Sequence, residues 1–118
     1  MSTQRDPEPA LSALLARPAS PLRLGNVLSR AEAETTAGLL RIVSDPTRLQ
    51  LLSLMENSPE REACVSDLSV ALELRQPTVT YHLKILAEAG IIEREQRGRH
   101  VWCSIHPSRL SAIRDLLR

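Results

Sequence analysis

The chain has no phenylalanine, one tryptophan and one tyrosine among 118 residues. Any core is therefore aliphatic, drawn from Leu, Ile, Val and Ala. Only two cysteines occur, Cys64 and Cys103, which excludes the disulfide framework of small secreted domains. Four glycines and three histidines leave little material for a phosphate-cradling loop or a histidine-centred active site. No Ser/His/Asp set and no suitably spaced carboxylate pair stands out, so an enzyme is not expected. No apolar run approaches the roughly 20 residues that span a bilayer. Asp6, Glu8 and early prolines do not follow the basic-then-apolar order of a secretory signal. A cytoplasmic protein without a membrane partner is expected. Net charge is only +1, which argues against a strongly basic nucleic-acid scaffold. It leaves a DNA binder open, because local clustering of charge decides contacts.

What remains is ordinary in amount and specific in order. A 42% hydrophobic chain of this length suits one domain. Residues 1–28 read as an arm or linker. It is polar over 1–7, has a short helix over 8–17 with Leu11, Leu14 and Leu15 on one side, and is then extended through Pro18 and Pro21. Residues 29–118 read as the folded domain. Ser29 and Glu32 have capping-box spacing and predict a helix to about Val43. Asp45 and Pro46 supply the N-cap and first position of a second helix. Its Leu49, Leu51, Leu52, Leu54 and Met55 point to too many sides for an exposed element, so it should be central. A charged loop (58–63) and a short extended piece at Cys64-Val65 follow. Ser66-Asp67 is placed to cap a third helix.

The next helix starts within two residues of Leu74, so short a turn that the two form a helix-turn-helix. Val79, Leu83, Leu86 and Ala87 define its buried stripe, and Thr80, Tyr81, Lys84 and Glu88 fall opposite. Gln76, Thr78 and Thr80 crowd its first turns, where short polar groups can reach base edges in a major groove. Gly90 can end it. The period then changes. Residues 91–105 predict two short strands around Arg97-Gly98-Arg99, with Val101, Cys103 and Ile105 on one face and Trp102 and Ser104 on the other. Pro107 and Ser108 open a last helix carrying Leu110, Ile113, Leu116 and Leu117. The expected fold is mainly α with a small β-hairpin, a winged helix-turn-helix. Arg94, Arg97 and Arg99 lie beside the second helix of the turn, placed for phosphates or a minor groove.

These residues resemble the ArsR/SmtB family of small bacterial winged-helix repressors. The resemblance rests on SDPTRLQLLSLM (44–55), EACVSDL (62–68), LRQPTVTYHLKILAEAGII (74–92) and REQRGRHVWCSI (94–105). It implies a homodimer with the first and last helices at the interface. It also implies binding to double-stranded operator DNA, and release by a ligand that is often a metal or metalloid ion. The family's DNA contacts carry over to Gln76, Thr78, Thr80 and Tyr81, with a wing around Arg97 and Arg99. Lys84, on the same outer face, joins the expected set. So does Arg75, which stands where the family usually has a Ser N-cap and becomes a candidate phosphate ligand. Two reader helices about 34 Å apart would match a pseudo-palindromic operator. Gln76 is suited to a bidentate pair with adenine. His82, at the edge of the stripe, reads as a packed, hydrogen-bonded residue.

No complete family metal site is present. Cys64-Val65-Ser66-Asp67 holds half of the family's Cys-Val-Cys-Asp pattern, residues 107–118 offer only Asp115, and residues 1–30 contain no cysteine. Cys64 and Cys103 remain. If their segments pair as strands, their Cβ atoms would lie about 4.5–5.5 Å apart. Three readings stay open: a site for As(III) or another soft ion, a jointly oxidised pair, and two small buried hydrophobes. No cofactor is certain. Competing functions are a thiol-redox or effector-independent regulator and, from another class, a winged-helix protein-interaction module.

Overall fold

Capping chemistry sets the first elements. The computed structural model describes residues 27–110. The arm expected over 1–28, with its helix at 8–17, and all but the first turn of the closing helix fall outside them. Helix α1 is Arg30–Val43, and both arms of its capping box are made: Ser29 Oγ accepts from Glu32 N–H, and Glu32 accepts from Ser29 N–H. Helix α2 is Pro46–Glu56, with Asp45 accepting from Arg48 N–H at 3.0 Å. Leu51, Leu52 and Met55 of α2 are fully buried, as expected of a central helix, whereas Leu49 is 36% exposed.

A short 3-10 turn, Pro59–Arg61, leads into strand β1, Glu62–Cys64, and then helix α3, Val65–Leu72. The expected cap at Ser66-Asp67 is corrected here. Strand β1 runs straight into the helix, so the extended Cys64 takes the N-cap position and makes no side-chain cap bond. Ser66 Oγ instead lies 3.3 Å from Cys64 Sγ.

The turn between α3 and α4 (Gln76–Glu88) is held by two devices. Glu73 adopts a left-handed conformation, φ 55° and ψ 41°, that lets Leu74 N–H reach back to Ser69 O at 3.1 Å. Ser69, the one buried polar residue among those described, donates its hydroxyl to Leu74 O. Arg75 stands at the N-cap of α4 with no side-chain cap bond, and Pro77 fits its first turn. Gly90, at φ 73°, lets the chain leave α4.

Strands β2 (Ile92–Arg97) and β3 (His100–Ile105) form the hairpin. Gly98, at φ 62°, takes the first turn position, the site where a II′ turn calls for glycine. Strand β1 adds to the far side of β3, giving an antiparallel sheet of order β1-β3-β2. One aliphatic cluster joins all layers. It contains Leu51, Leu52 and Met55 of α2, Leu68 of α3, Val79, Leu83 and Leu86 of α4, and Ile91, Ile92, Cys103 and Ile105 around the sheet. No aromatic ring takes part: Tyr81 is exposed and Trp102 half-buried. The architecture is a winged helix-turn-helix. Among the described residues no helix is long and apolar enough to cross a membrane.

The Asp45 cap makes stability depend on pH with a defined sign. The Arg48 N–H hydrogen bond, with the Arg48 charge adding, holds this carboxyl below its ordinary range. A depressed folded-state pKa stabilises above the unfolded value of about 3.9 and is lost as pH falls through the folded one. The site is largely solvated, so the magnitude is that of an ordinary cap. Asp45→Ala should cost about 1 kcal/mol at neutral pH. Urea unfolding across a pH series should show the gap between parent and variant narrowing below about pH 4. A gap independent of pH would contradict an ionic cap.

Candidate nucleic-acid interface

Helix α4 is anchored by one face and offers the other. Val79, Leu83 and Leu86 are at most 1% exposed. Gln76, Thr78, Thr80, Tyr81 and Lys84 are exposed, and Tyr81 keeps 62% of its surface. Helical geometry makes this a consequence of the buried stripe, since side chains about 100° apart cannot all face inward. Lys84 lies 3.9 Å from Glu88, a loose surface pair that leaves its ammonium available.

A polar clamp at the helix centre fixes how α4 lies against α2. Arg48 donates through Nε to Ile42 O at 2.6 Å, and its NH1 lies 3.2 Å from His82 Nδ1. Arginine has only donors, so His82 Nδ1 accepts in this arrangement and Nε2 carries the ring proton. The end of α1, the start of α2 and the middle of α4 are thereby tied at one guanidinium. His82 is half-buried and hydrogen-bonded, as its place in the sequence suggested. Arg48 lies too far from it in sequence for periodicity to couple them.

The hairpin sorts its charges by face, because successive strand residues point to opposite sides. Arg97 is on the side away from α4. It pairs bidentately with Glu62 at 2.7 and 2.9 Å, contacts Glu95 at 3.0 Å, and lies 5.5 Å from the centroid of the Trp102 ring. The hydrogen bonds it donates to Glu62 and Glu95 raise its pKa further, and Arg97 in return lowers that of Glu95. In this structure Arg97 is a strap from the wing to β1, making four hydrogen bonds to Glu62 and Glu95. Arg94 and Arg99 face the other way. With His100 they line a cleft of about 320 Å³ between the hairpin and the first turns of α3 and α4. Ser66, Gln76 and Thr80 line its opposite side, with Val65, Leu83 and Val101 as its apolar part. Thus Gln76, Thr80 and Arg99 of the expected contact residues come together here. Thr78, Tyr81, Lys84 and Arg75 lie outside the cleft on the exposed helix. Arg94 was legible as a wing cation only; strand alternation, with Arg94 opposite Cys103, is the signal that turns it inward. No sequence signal singles out His100 or Ser66.

The two thiols are not the cross-strand pair that the sequence suggested. Ala63 is opposite Cys103, and Cys64 is opposite Trp102. A one-residue offset puts the cysteines on opposite faces of the pairing. Both are buried. Burial pushes the Cys103 thiol up to about 11; nearby Arg94 opposes this and Cys64 adds to it. A thiol at that value is protonated at neutral pH. Among the described residues no group of three or more His, Cys, Asp or Glu side chains converges to hold a metal ion.

Comparison with known proteins places this geometry. Residues 45–94 match the model for "Bacterial regulatory protein, arsR family". The chain is 38% identical over 69 residues to the arsenic resistance transcriptional regulator ArsR1 of Pseudomonas putida, covering 58% of this chain and 52% of that one. It is 32% identical over 84 residues to the HTH-type transcriptional regulator MJ1325 of Methanocaldococcus jannaschii, covering 71% of this chain and 92% of the relative. The crystal structure of the AntR antimony-specific transcriptional repressor superposes with a TM-score of 0.67 at 27% identity, covering 84% of this chain and 92% of that one. The chain spans 52–58% of the length of the first curated relatives it matches. The family match runs from the cap of α2 through the helix-turn-helix into β2, the segment that carries the exposed helix and its supports, and with it the chain belongs to the arsR family of bacterial regulatory proteins.

Proposed function

We propose that this chain is a sequence-specific DNA-binding transcriptional repressor that acts as a homodimer. The exposed polar edge of α4 carries the proposal: Gln76, Thr78, Thr80, Tyr81 and Lys84 stand outward because Val79, Leu83 and Leu86 are locked inward. In this reading Gln76 and Thr78 read base edges at the helix start, and Thr80 and Tyr81 extend the contact along the groove. Arg75, Lys84 and Arg99 bind phosphates. Arg97 supports the wing through Glu62 in place of contacting DNA directly. The dimer reading is supported by α1, where only Val43 is buried, and by Leu40, 46% exposed on the same helix. Such a helix lacks a second surface to bury against. A winged module of this kind that binds protein would not lose affinity steeply with salt, which separates the two classes.

Duplex DNA from upstream of its own coding sequence is the test ligand. Gln76→Ala with Thr78→Ala should remove the preference for that duplex over a scrambled one, a loss of about 1–3 kcal/mol per bidentate base pair contact. Binding to both at the non-specific level should survive. Retained preference would remove α4 as the reader.

Salt titrations separate the wing arginines. Arg99→Ala should lower the slope of log affinity against log salt by about 0.9 per protomer, the value of one phosphate contact. Arg97→Ala should leave the slope near the parent's, since its charge is spent on Glu62 and Glu95. Equal slopes losses from both would return Arg97 to the DNA contacts.

Release by a thiophilic ion such as As(III), through Cys64 and Cys103, is the finer form of the proposal. Relatives named for arsenic and antimony support it. The one-residue offset in the β1–β3 register supports a reading in which the strand pairing shifts before both sulfurs face one ion. Arsenite added to the protein–DNA complex should therefore act slowly, and Cys64→Ser should abolish its effect. Unchanged DNA affinity in the parent protein would exclude the thiol pair as the switch.

A further inference from the structure

We propose that the cleft between α4 and the wing is a binding site for a phosphate group, with Arg94 and Arg99 as its cationic wall and Ser66, Gln76 and Thr80 as donors opposite. It deepens the DNA-binding reading and rests on it for the source of the phosphate, not for the chemistry of the cleft.

Charge sorting carries the inference. The hairpin holds Glu93, Glu95 and Arg97 on one face of β2 and Arg94 and Gln96 on the other. Its carboxylates find partners on their own face: Glu95 meets Arg97, and Glu93 meets His106 at 3.6 Å. No carboxylate lines the cleft. Among the described residues, no ion pair or side-chain hydrogen bond is made by Arg94, Arg99 or His100. A protein surface that neutralises Arg97 with two carboxylates and leaves its neighbours unpaired around a concavity has set a charge toward an anion. Guanidinium groups match tetrahedral oxyanions because their N–H donors bind two oxygens at once. Hydroxyl and amide groups on the facing wall supply the remaining donors. The volume, about 320 Å³, and the open side leave room for the rest of a phosphate ester.

Two sources share this chemistry, a phosphodiester of bound DNA and a free phosphate. In the first case the cleft seats the backbone where it passes between the reader helix and the wing, and positions Gln76 against the bases. In the second it is an effector site whose occupant excludes DNA.

The experiment is an NMR titration of the 15N-labelled full chain with inorganic phosphate, with sodium chloride at matched ionic strength as control. Saturable shifts of the Ser66, Thr80 and Val101 amides are expected with phosphate and not with chloride. Arg94→Ala and Arg99→Ala should each weaken that binding on the order of tenfold, the value of one charge-assisted hydrogen bond. Arg94→Lys should retain a part of it, which a merely unfolded variant would not. Equal shifts with chloride, or shifts untouched in the double alanine variant, overturn the proposal, whatever the outcome of DNA binding. A second titration with the upstream duplex assigns the source. Movement of the same amides, reversed by excess phosphate, places a backbone phosphate in the cleft; movement of α4 amides alone makes the free anion its ligand. DNA binding with no response of the cleft to phosphate leaves the repressor reading standing and removes this one.

Discussion

Three aliphatic side chains, Val79, Leu83 and Leu86, decide which way α4 faces, and the rest of the interface depends on that orientation. Each is essentially inaccessible to water. Burying a side chain of this size stabilises by roughly 1.5–3 kcal/mol. The Lys84–Glu88 pair on the outer face contributes at most a few tenths. Packing therefore dominates surface electrostatics in setting the helix, and a polar outer edge is free to be chosen for contact. The Arg48–His82 clamp adds direction to an attraction that has none of its own: apolar burial tolerates small rotations, and a hydrogen bond through Nδ1 does not.

The wing works by the pleat of a strand. Alternation separates Arg94 from Arg97 although only two residues lie between them, and the two have opposite fates. Arg97 is consumed by Glu62, Glu95 and the Trp102 ring and holds the hairpin to β1. It is exposed enough for solvent to screen these pairs, so their value lies in geometry more than in energy. Arg94 and Arg99 line the cleft and make no ion pair among the described residues. A net charge of +1 is thus compatible with a nucleic-acid surface, because the acidic residues of the wing are spent on its far side.

The same sheet constrains the thiols. Register places Cys103 beside Ala63 and within the influence of Arg94, deep in the aliphatic cluster. Cys64 occupies the N-cap position of α3 without a side-chain cap bond, and its sulfur contacts Ser66, which stands where the second thiol of a Cys-Val-Cys pattern would be. Both sulfurs are buried in this conformation, on opposite faces of the β1–β3 pairing.

Local rules in the sequence determined most of the fold. The Ser29–Glu32 capping box, the Asp45-Pro46 start, the Leu74 turn, Gly90 and Gly98 are signals that act within a few residues, and the structure places elements at each. The buried stripe of α4 was legible for the same reason: helical period alone separates Val79 from Thr80. Only the tertiary structure decided what depends on register and on contacts between distant segments. The β1–β3 pairing moved Cys64 off Cys103 by one residue, which no periodicity could foresee. Arg97 met Glu62 across 35 positions, and Arg48 met His82 across 34. His100 and Ser66 came to share a cleft with Gln76 only when the hairpin folded back over the reader helix. Period and capping are properties of one segment; register, ion pairing and concavity belong to segments brought together by burial of a common core.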